Sequence, residues 1–321
     1  MKNKQSFPQQ IDSSMRSTFA SCPRKFFFQY MLKKAAGTDS VHLVFGGAMA
    51  RGLEVTRRAI WRDNLRLEEA LHLGSAAIVK DWLHSSIDPE PGDSPKSLAN
   101  CIKALEMYFQ HFSPYDDYMR PMPFGNGEVA VEFTFAVPLP TSLGFPLHPE
   151  TGLPILYTGR FDMLGETPSG MKMIVDDKTC SQLGLNFTRS MKMRSQFTGY
   201  TWACQQYGID TSAIVVRATC IQKTQITFAE LQEMRPDHMI QQWLSQLRKD
   251  VTHMIEMWKV HNYMQDLDGP LSSGFEANLD DSCGSYGGCP YLDACLAPKP
   301  LEVINAFYKD HHWDPLAKGK E

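Results

Sequence analysis

The sequence has no unbroken run of about 18 apolar residues, so it offers no membrane-spanning helix. Its opening residues, MKNKQSFPQQIDSS, lack the apolar stretch of a secretory signal, and the expected location is the cytoplasm. It has no surplus of positive charge either: 32 Lys and Arg stand against 36 Asp and Glu, a net charge of -4. Any nucleic-acid surface must therefore be a local patch and not a global field. No internal repeat or low-complexity tract is visible, which leaves solenoids and disordered linkers aside. The eight Cys include no close C-x2–4-C pair of the kind zinc sites favour.

What is present suits one large domain with additions, or two modest ones. The chain has 321 residues, 43% of them hydrophobic and 11% aromatic, enough for a sizeable core. A helix capped by Ser13-Ser14 is expected to run to about Leu32, with Phe19, Cys22, Phe26 and Tyr30 at helical spacing and a kink at Pro23. A second helix opens at Gly46-Gly47 and runs to Trp61, and residues 66–84 and 96–112 form two more as a helical insertion at about 63–115. Alternation of Val129, Val131, Phe133, Phe135 and Val137 predicts a half-buried strand over 128–138. Strands at about 155–165, 171–178 and 212–220, a helix over 192–207 ending at Gly208, and a long helix from Asp237 to Tyr263 follow. The expected division is 1–45, 46–225 and 226–321. The order implies an α/β core with a mixed sheet.

The chemistry concentrates between Tyr157 and Thr179. Thr167-Pro168-Ser169-Gly170 is a hairpin turn between two extended runs, the first carrying Asp162 and the second Asp176 and Lys178. Side chains alternate along a strand, so Asp176 and Lys178 share a face and Asp177 points away. Pairing across the hairpin brings Asp162 alongside them. Two carboxylates and an ammonium at one sheet edge suit a divalent metal and a positioned water, the needs of phosphodiester hydrolysis.

Together these residues resemble the PD-(D/E)XK nuclease superfamily in its RecB-like branch, which includes recombination nucleases and CRISPR-adaptation exonucleases. The resemblance runs from Cys22 to Cys295. It is carried by Glu54 in GGAMARGLE, Asp162 in GRFD, Asp176 and Lys178 in IVDDKT, and Gln196 and Tyr200 in QFTGY. It implies a restriction-endonuclease-like αβββαβ core and metal-dependent DNA cleavage by an exonuclease or flap-trimming enzyme of recombination, repair, CRISPR adaptation or phage replication. A structure-specific endonuclease and a non-catalytic DNA-binding scaffold subunit are the alternatives. By resemblance Glu54, Asp162, Asp176 and the Asp177 carbonyl hold Mg²⁺ or Mn²⁺, Lys178 orients water or steadies negative charge, and Gln196 and Tyr200 position the site and touch nucleic-acid backbone. The sequence departs from the pattern at Ala50, where this branch carries a metal-binding His, and His42 is poorly placed to replace it.

Cys22, Cys283, Cys289 and Cys295 resemble the iron–sulfur staple of some RecB-like nucleases, one Cys before the core and three after it. The resemblance implies a [4Fe–4S] cluster, with zinc as the competitor. Cys101, Cys180, Cys204 and Cys220 read as small buried hydrophobes. Arg24, Lys25, Phe26 and Tyr30 are expected to guide single-stranded DNA by charge and stacking. Recombination or replication proteins are the expected partners, and a membrane is not.

Overall fold

The computed structural model describes residues 4–37, 39–90, 92–211, 213–266, 274–279, 281–284 and 288–316. It forms two compact units, one drawn from residues 1–37, 135–159 and 241–317, the other from 38–134 and 160–240. Neither unit is one continuous stretch, whereas the expected division is 1–45, 46–225 and 226–321, and the chain beyond 225 adds a strand to the sheet before it leaves.

In chain order, β1 (Gln10–Ile11) leads into α1 (Ser13–Ser21), α2 (Pro23–Phe26), a π-turn over Phe27–Met31, and β2 (Lys34–Ala36). The N-cap of α1 is Asp12, whose carboxylate accepts the Met15 N–H at 2.7 Å, while Ser13 and Ser14 already lie inside the first turn. Cys22 leaves the helix fully extended because the residue before a proline is kept out of the helical region, and Pro23 starts α2 at its first turn. The stripe Phe19, Phe26 and Tyr30 is buried, with Phe26 packed against Phe19 at 5.5 Å and on Phe275 at 6.3 Å. Phe26 and Tyr30 are thus core residues. The expected stacking of DNA on them is withdrawn, since aromatics at helical spacing close the interior first.

The second unit begins with α3 (Val41–Trp61), α4 (Leu67–Leu83) and α5 (Leu98–His111). The insertion is this helical layer, sharing a core of Phe45, Met49, Leu53, Ile78, Trp82, Leu105 and Tyr108. The helix starts at Val41, ahead of Gly46. Gly46 sits inside it, where a Cβ would make an ordinary contact with the Thr179 hydroxyl at 3.4 Å, so the glycine does not mark a helix start. A Cβ at Gly74 would meet Thr56 Oγ1 at 2.1 Å, which sets how near α4 lies to α3.

After β3 (Arg120–Pro121) come β4 (Val131–Pro138), β5 (Leu156–Glu166), β6 (Lys172–Cys180), α6 (Leu185–Lys192), α7 (Ser195–Gln206), β7 (Ala213–Ile221) and β8 (Ile226–Glu233). The order β5-β6-β7-β8, with β3 and β4 on β5, makes a mixed sheet: β6 is antiparallel to β5 and parallel to β7, and β7 is antiparallel to β8. The mixed α/β architecture expected from the element order is therefore present. The hairpin turn lies where predicted, with Gly170 at φ 82°, a conformation glycine adopts without strain.

Two element boundaries shift and one strand is unforeseen. β4 begins at Val131 and not 128, because a 3₁₀ turn over Gly125–Gly127 and a bend at Ala130 precede it. The helix predicted over 192–207 is α7, Ser195–Gln206, and Lys192 instead ends the separate helix α6. β8 is a strand that the sequence analysis does not include. Residue 212, the predicted start of the next strand, lies outside the described residues.

The chain closes with α8 (Asp237–Asp266), α9 (Leu292–Leu296), α10 (Pro300–Phe307) and β9 (Tyr308–Asp310), the last antiparallel to β2. Part of the Gly-rich stretch between Cys283 and Cys289, residues 285–287, lies outside the described residues. Among the described residues no helix is long and apolar enough to cross a membrane.

Candidate active site

The β5–β6 hairpin is zipped from its turn to the pair Met163 and Val175. Beyond that rung the Asp162 carboxylate replaces a backbone carbonyl and accepts the Asp177 N–H at 2.7 Å. An extended residue turns its N–H and C=O to the same edge, so the Asp177 carbonyl also faces Asp162. This opening in the ladder is where the acidic side chains gather.

Asp176 is 1% exposed, and neither carboxylate oxygen receives a well-directed hydrogen bond. Its partner is the Lys178 ammonium, an ion-pair contact 2.5 Å from Oδ2. Burial raises the proton affinity of Asp176, and Lys178 offsets that only in part. Asp162 is raised well above the ordinary carboxylate range, first by burial and then by the Asp176 charge. The group lacks positive charge, and a divalent cation is the chemical complement of such a donor set.

Glu54, on α3, accepts from Arg51 Nη1 at 2.7 Å and lies 3.3 Å from Arg58 Nε. Ala50, one turn earlier, offers no donor. A further carboxylate escaped the reading of the sequence: Glu132, whose side chain is 10% exposed, pairs with Arg160 Nε at 2.5 Å. Burial pushes it up to about 7, Arg160 opposes the shift, and the Glu54 charge adds to it; in turn the Glu132 charge raises Asp162. Its signal in the sequence was slight, a Glu on the polar side of an alternating strand. The left-handed backbone at Glu132 marks it in the fold, since strained positions cluster at functional sites.

The other face of β6 is fully paired. Asp177 accepts from Arg57 Nη1 at 2.6 Å and the Tyr108 hydroxyl at 2.7 Å, while Arg57 Nη2 donates to the same hydroxyl at 2.7 Å. Arg217 lies nearby, held by Asp117 and Glu230. Gln196 and Tyr200 meet one turn apart on α7. Gln196 Nε2 donates to the Tyr200 hydroxyl at 2.8 Å, and that hydroxyl donates to the Arg160 carbonyl at 2.6 Å. The pair therefore grips β5 two residues from Asp162. Tyr200 is buried, which fits positioning of the strand better than contact with a substrate.

In the other unit, the N-terminal helices and the C-terminal loop meet. Arg24 N donates to the Glu276 carbonyl at 3.1 Å, and Asn278 Nδ2 donates to the Ser21 carbonyl at 2.6 Å. Burial raises the Cys295 thiol; Arg24 opposes that, and Cys289 and Cys22 lie near enough to add to it. Cys283 joins Cys289 through its carbonyl, which accepts the Cys289 N–H at 2.8 Å. Among the described residues, no three His, Cys, Asp or Glu side chains anywhere are already drawn around one point as an ion would hold them. Of the remaining Cys, Cys101, Cys204 and Cys220 are fully buried and Cys180 half-buried.

The fold and the paired acids at a splayed hairpin define a nuclease-type α/β domain. The sequence model of the PD-(D/E)XK nuclease superfamily matches residues 14–296, and the chain belongs to that superfamily. Its members are nucleases that generally use Mg²⁺ or Mn²⁺ and act on DNA. No curated protein matches in sequence. Among solved structures, a candidate exonuclease from Eubacterium rectale is similar at 13% identity, covering 78% of this chain and 82% of its own, with a TM-score of 0.47. The protein SSO0001 is similar at 12% identity over 65% and 73%, with a TM-score of 0.27.

Proposed function

We propose that the chain is a metal-dependent DNA nuclease of the RecB-like branch, an exonuclease or flap-trimming enzyme that acts on single-stranded DNA or single-stranded ends in the cytoplasm. The observation that carries this reading is the meeting of Asp162, Asp176 and Lys178 at the open end of the β5–β6 ladder, with Asp176 buried and short of donors. Asp162, Asp176, the Asp177 carbonyl and Glu54 would hold Mg²⁺ or Mn²⁺. Bound there, the ion supplies Lewis acidity to a phosphodiester. Asp162 and Asp176 fix the negative charge that recruits it. Lys178 is partly exposed, so its ammonium can donate a hydrogen bond to a water or to a phosphate oxygen as charge develops. Tyr200 and Gln196 keep β5, and so Asp162, in register with β6.

The test is cleavage of single-stranded, duplex and flap DNA with Mg²⁺ or Mn²⁺, alongside Asp176→Asn and Lys178→Ala. Lys178→Ala should reduce turnover more than metal affinity. A parent protein that binds but never cuts DNA sends the reading to a second one, a DNA-binding scaffold subunit. Ala50 and the engagement of Glu54 by two arginines favour that alternative.

Within the same reading, Cys22, Cys283, Cys289 and Cys295 hold a [4Fe–4S] cluster that ties the chain ends together, with zinc as the competitor. The nearness of Cys22, Cys289 and Cys295 and the backbone link from Cys289 to Cys283 favour a shared ion. Anaerobic protein should be brown and carry iron and sulfide, and Cys22→Ala should be colourless with a lower Tm. A colourless parent with stoichiometric zinc decides for the competitor.

A further inference from the structure

We infer that the outer face of α6 is the surface that receives the nucleic-acid strand, its cations taking the phosphates and its two apolar ends lying against the bases. This rests on the nuclease reading of the neighbouring carboxylates and names the element that brings substrate to them.

Three side chains share one face of α6, Leu185, Arg189 and Lys192 at i, i+4 and i+7, positions that line up along a helix, and Met193 is the C-cap residue that follows them. All four are exposed, Leu185 at 72% and Met193 at 70%. The opposite side of the helix carries the buried Met191 and packs on β8. The helix is pinned in this orientation by Arg235, a buried side chain that donates to the Met191 carbonyl at 3.0 Å and to Thr198 Oγ1 at 3.2 Å. The face is therefore held outward by a built anchor.

Its charge is unusual for this chain. The whole sequence is net acidic, yet no Asp or Glu occurs between Asp177 and Asp210, while Arg189, Lys192 and Arg194 fall in that stretch. No acidic side chain among the described residues pairs with Arg189 or Lys192. Unpaired exposed cations and exposed apolar ends suit one polymer in particular: a strand with anionic phosphates and unstacked bases. The segment also lies beside the chemistry. After burial and Lys178, the Arg194 guanidinium is the next charge to bear on Asp176. A strand on this face is thus led toward the buried carboxylates.

The experiment measures binding of a fluorescein-labelled single-stranded deoxyoligonucleotide to Asp176→Asn protein across a salt series. Adding R189A/K192A should weaken binding at least about tenfold at low salt and flatten the salt slope by about 1.4, roughly 0.7 per lost phosphate contact. R189K/K192R, which keeps both charges, should restore the slope. Leu185→Ser with Met193→Ser should weaken binding several-fold and leave the slope alone. All four side chains are exposed, so Tm should stay put. Affinity and slope unchanged in R189A/K192A would overturn the inference, even if the parent cuts DNA. If the parent cuts nothing but these losses appear, the surface stands and the nuclease reading falls.

Discussion

Asp176 and Asp177 follow one another on β6, and the two faces of that strand treat a carboxylate in opposite ways. On one face Asp176 is buried with Lys178 as its partner, and burial raises its proton affinity. On the other, burial also works against the charge of Asp177, but the Arg57 guanidinium and hydrogen bonds from Arg57 and Tyr108 more than offset it, and Asp177 is lowered. The Arg57 face is saturated: each carboxylate oxygen has a donor, and the donors bond each other. The Lys178 face is left short of positive charge beside Asp162 and Glu132. A face of the first kind stabilises a fold. A face of the second kind stores electrostatic strain that a bound cation relieves, the usual exchange of stability for function.

The contrast breaks most sharply at Asp176. On the proposed nuclease reading, Asp176→Asn should lower cleavage by about a thousandfold or more, since it removes the proposed metal ligand and a preorganised charge. The same change relieves a poorly compensated buried charge, so Tm in EDTA should rise by about 1–2 °C, the shift of roughly 1 kcal/mol in a chain of 321 residues. A loss of both activity and Tm would place Asp176 on the structural side of the comparison. Asp177→Asn should do the reverse. It leaves Arg57 buried beside a neutral partner and should cost about 3–5 kcal/mol, read as a shift in denaturant midpoint.

Between these lies the pH response. Asp162 and Asp176 are raised from 3.8, and Glu132 from 4.5 to about 7. A carboxyl that holds its proton more tightly when folded contributes fully below its unfolded pKa and loses that contribution as pH rises through the folded one. Metal-free protein should therefore lose Tm as pH climbs from about 4 to 7, and Mg²⁺ should restore it. Asp177 runs the other way, its contribution present above 3.8 and lost as pH falls below it. A Tm that stays level from about pH 4 to 7 in EDTA and falls only below about 3.8 would show that the paired face governs. Smallest is Tyr200→Phe, which removes the hydroxyl that donates to the Arg160 carbonyl and accepts from Gln196. It should cost about 1 kcal/mol and slow cleavage modestly, measurable by calorimetry and initial rates.

Much of the hairpin was legible because its determinants are local. Thr167-Pro168-Ser169-Gly170 specifies a turn, two-residue alternation puts Asp176 and Lys178 on one face, and pairing then brings Asp162 to them. The Gly46-Gly47 pair misled because a glycine inside a helix has the same spelling as one that opens it. Only the fold, in which α3 reaches back to Val41, separates the two. β8 and α6 are each only eight residues long, too short for a periodic pattern to stand out before the neighbours they cover are known.

By itself the sequence determined the hairpin, the order of helix and strand, and the residue types of the acidic group, because turns and side-chain alternation act over a few residues. Tertiary structure alone decided that Glu132 joins that group, that Arg57 and Tyr108 claim Asp177, and that Phe26 and Tyr30 go to the core. Each of those outcomes depends on partners distant in sequence, and no spacing rule within one segment carries the charge or the burial that such partners impose.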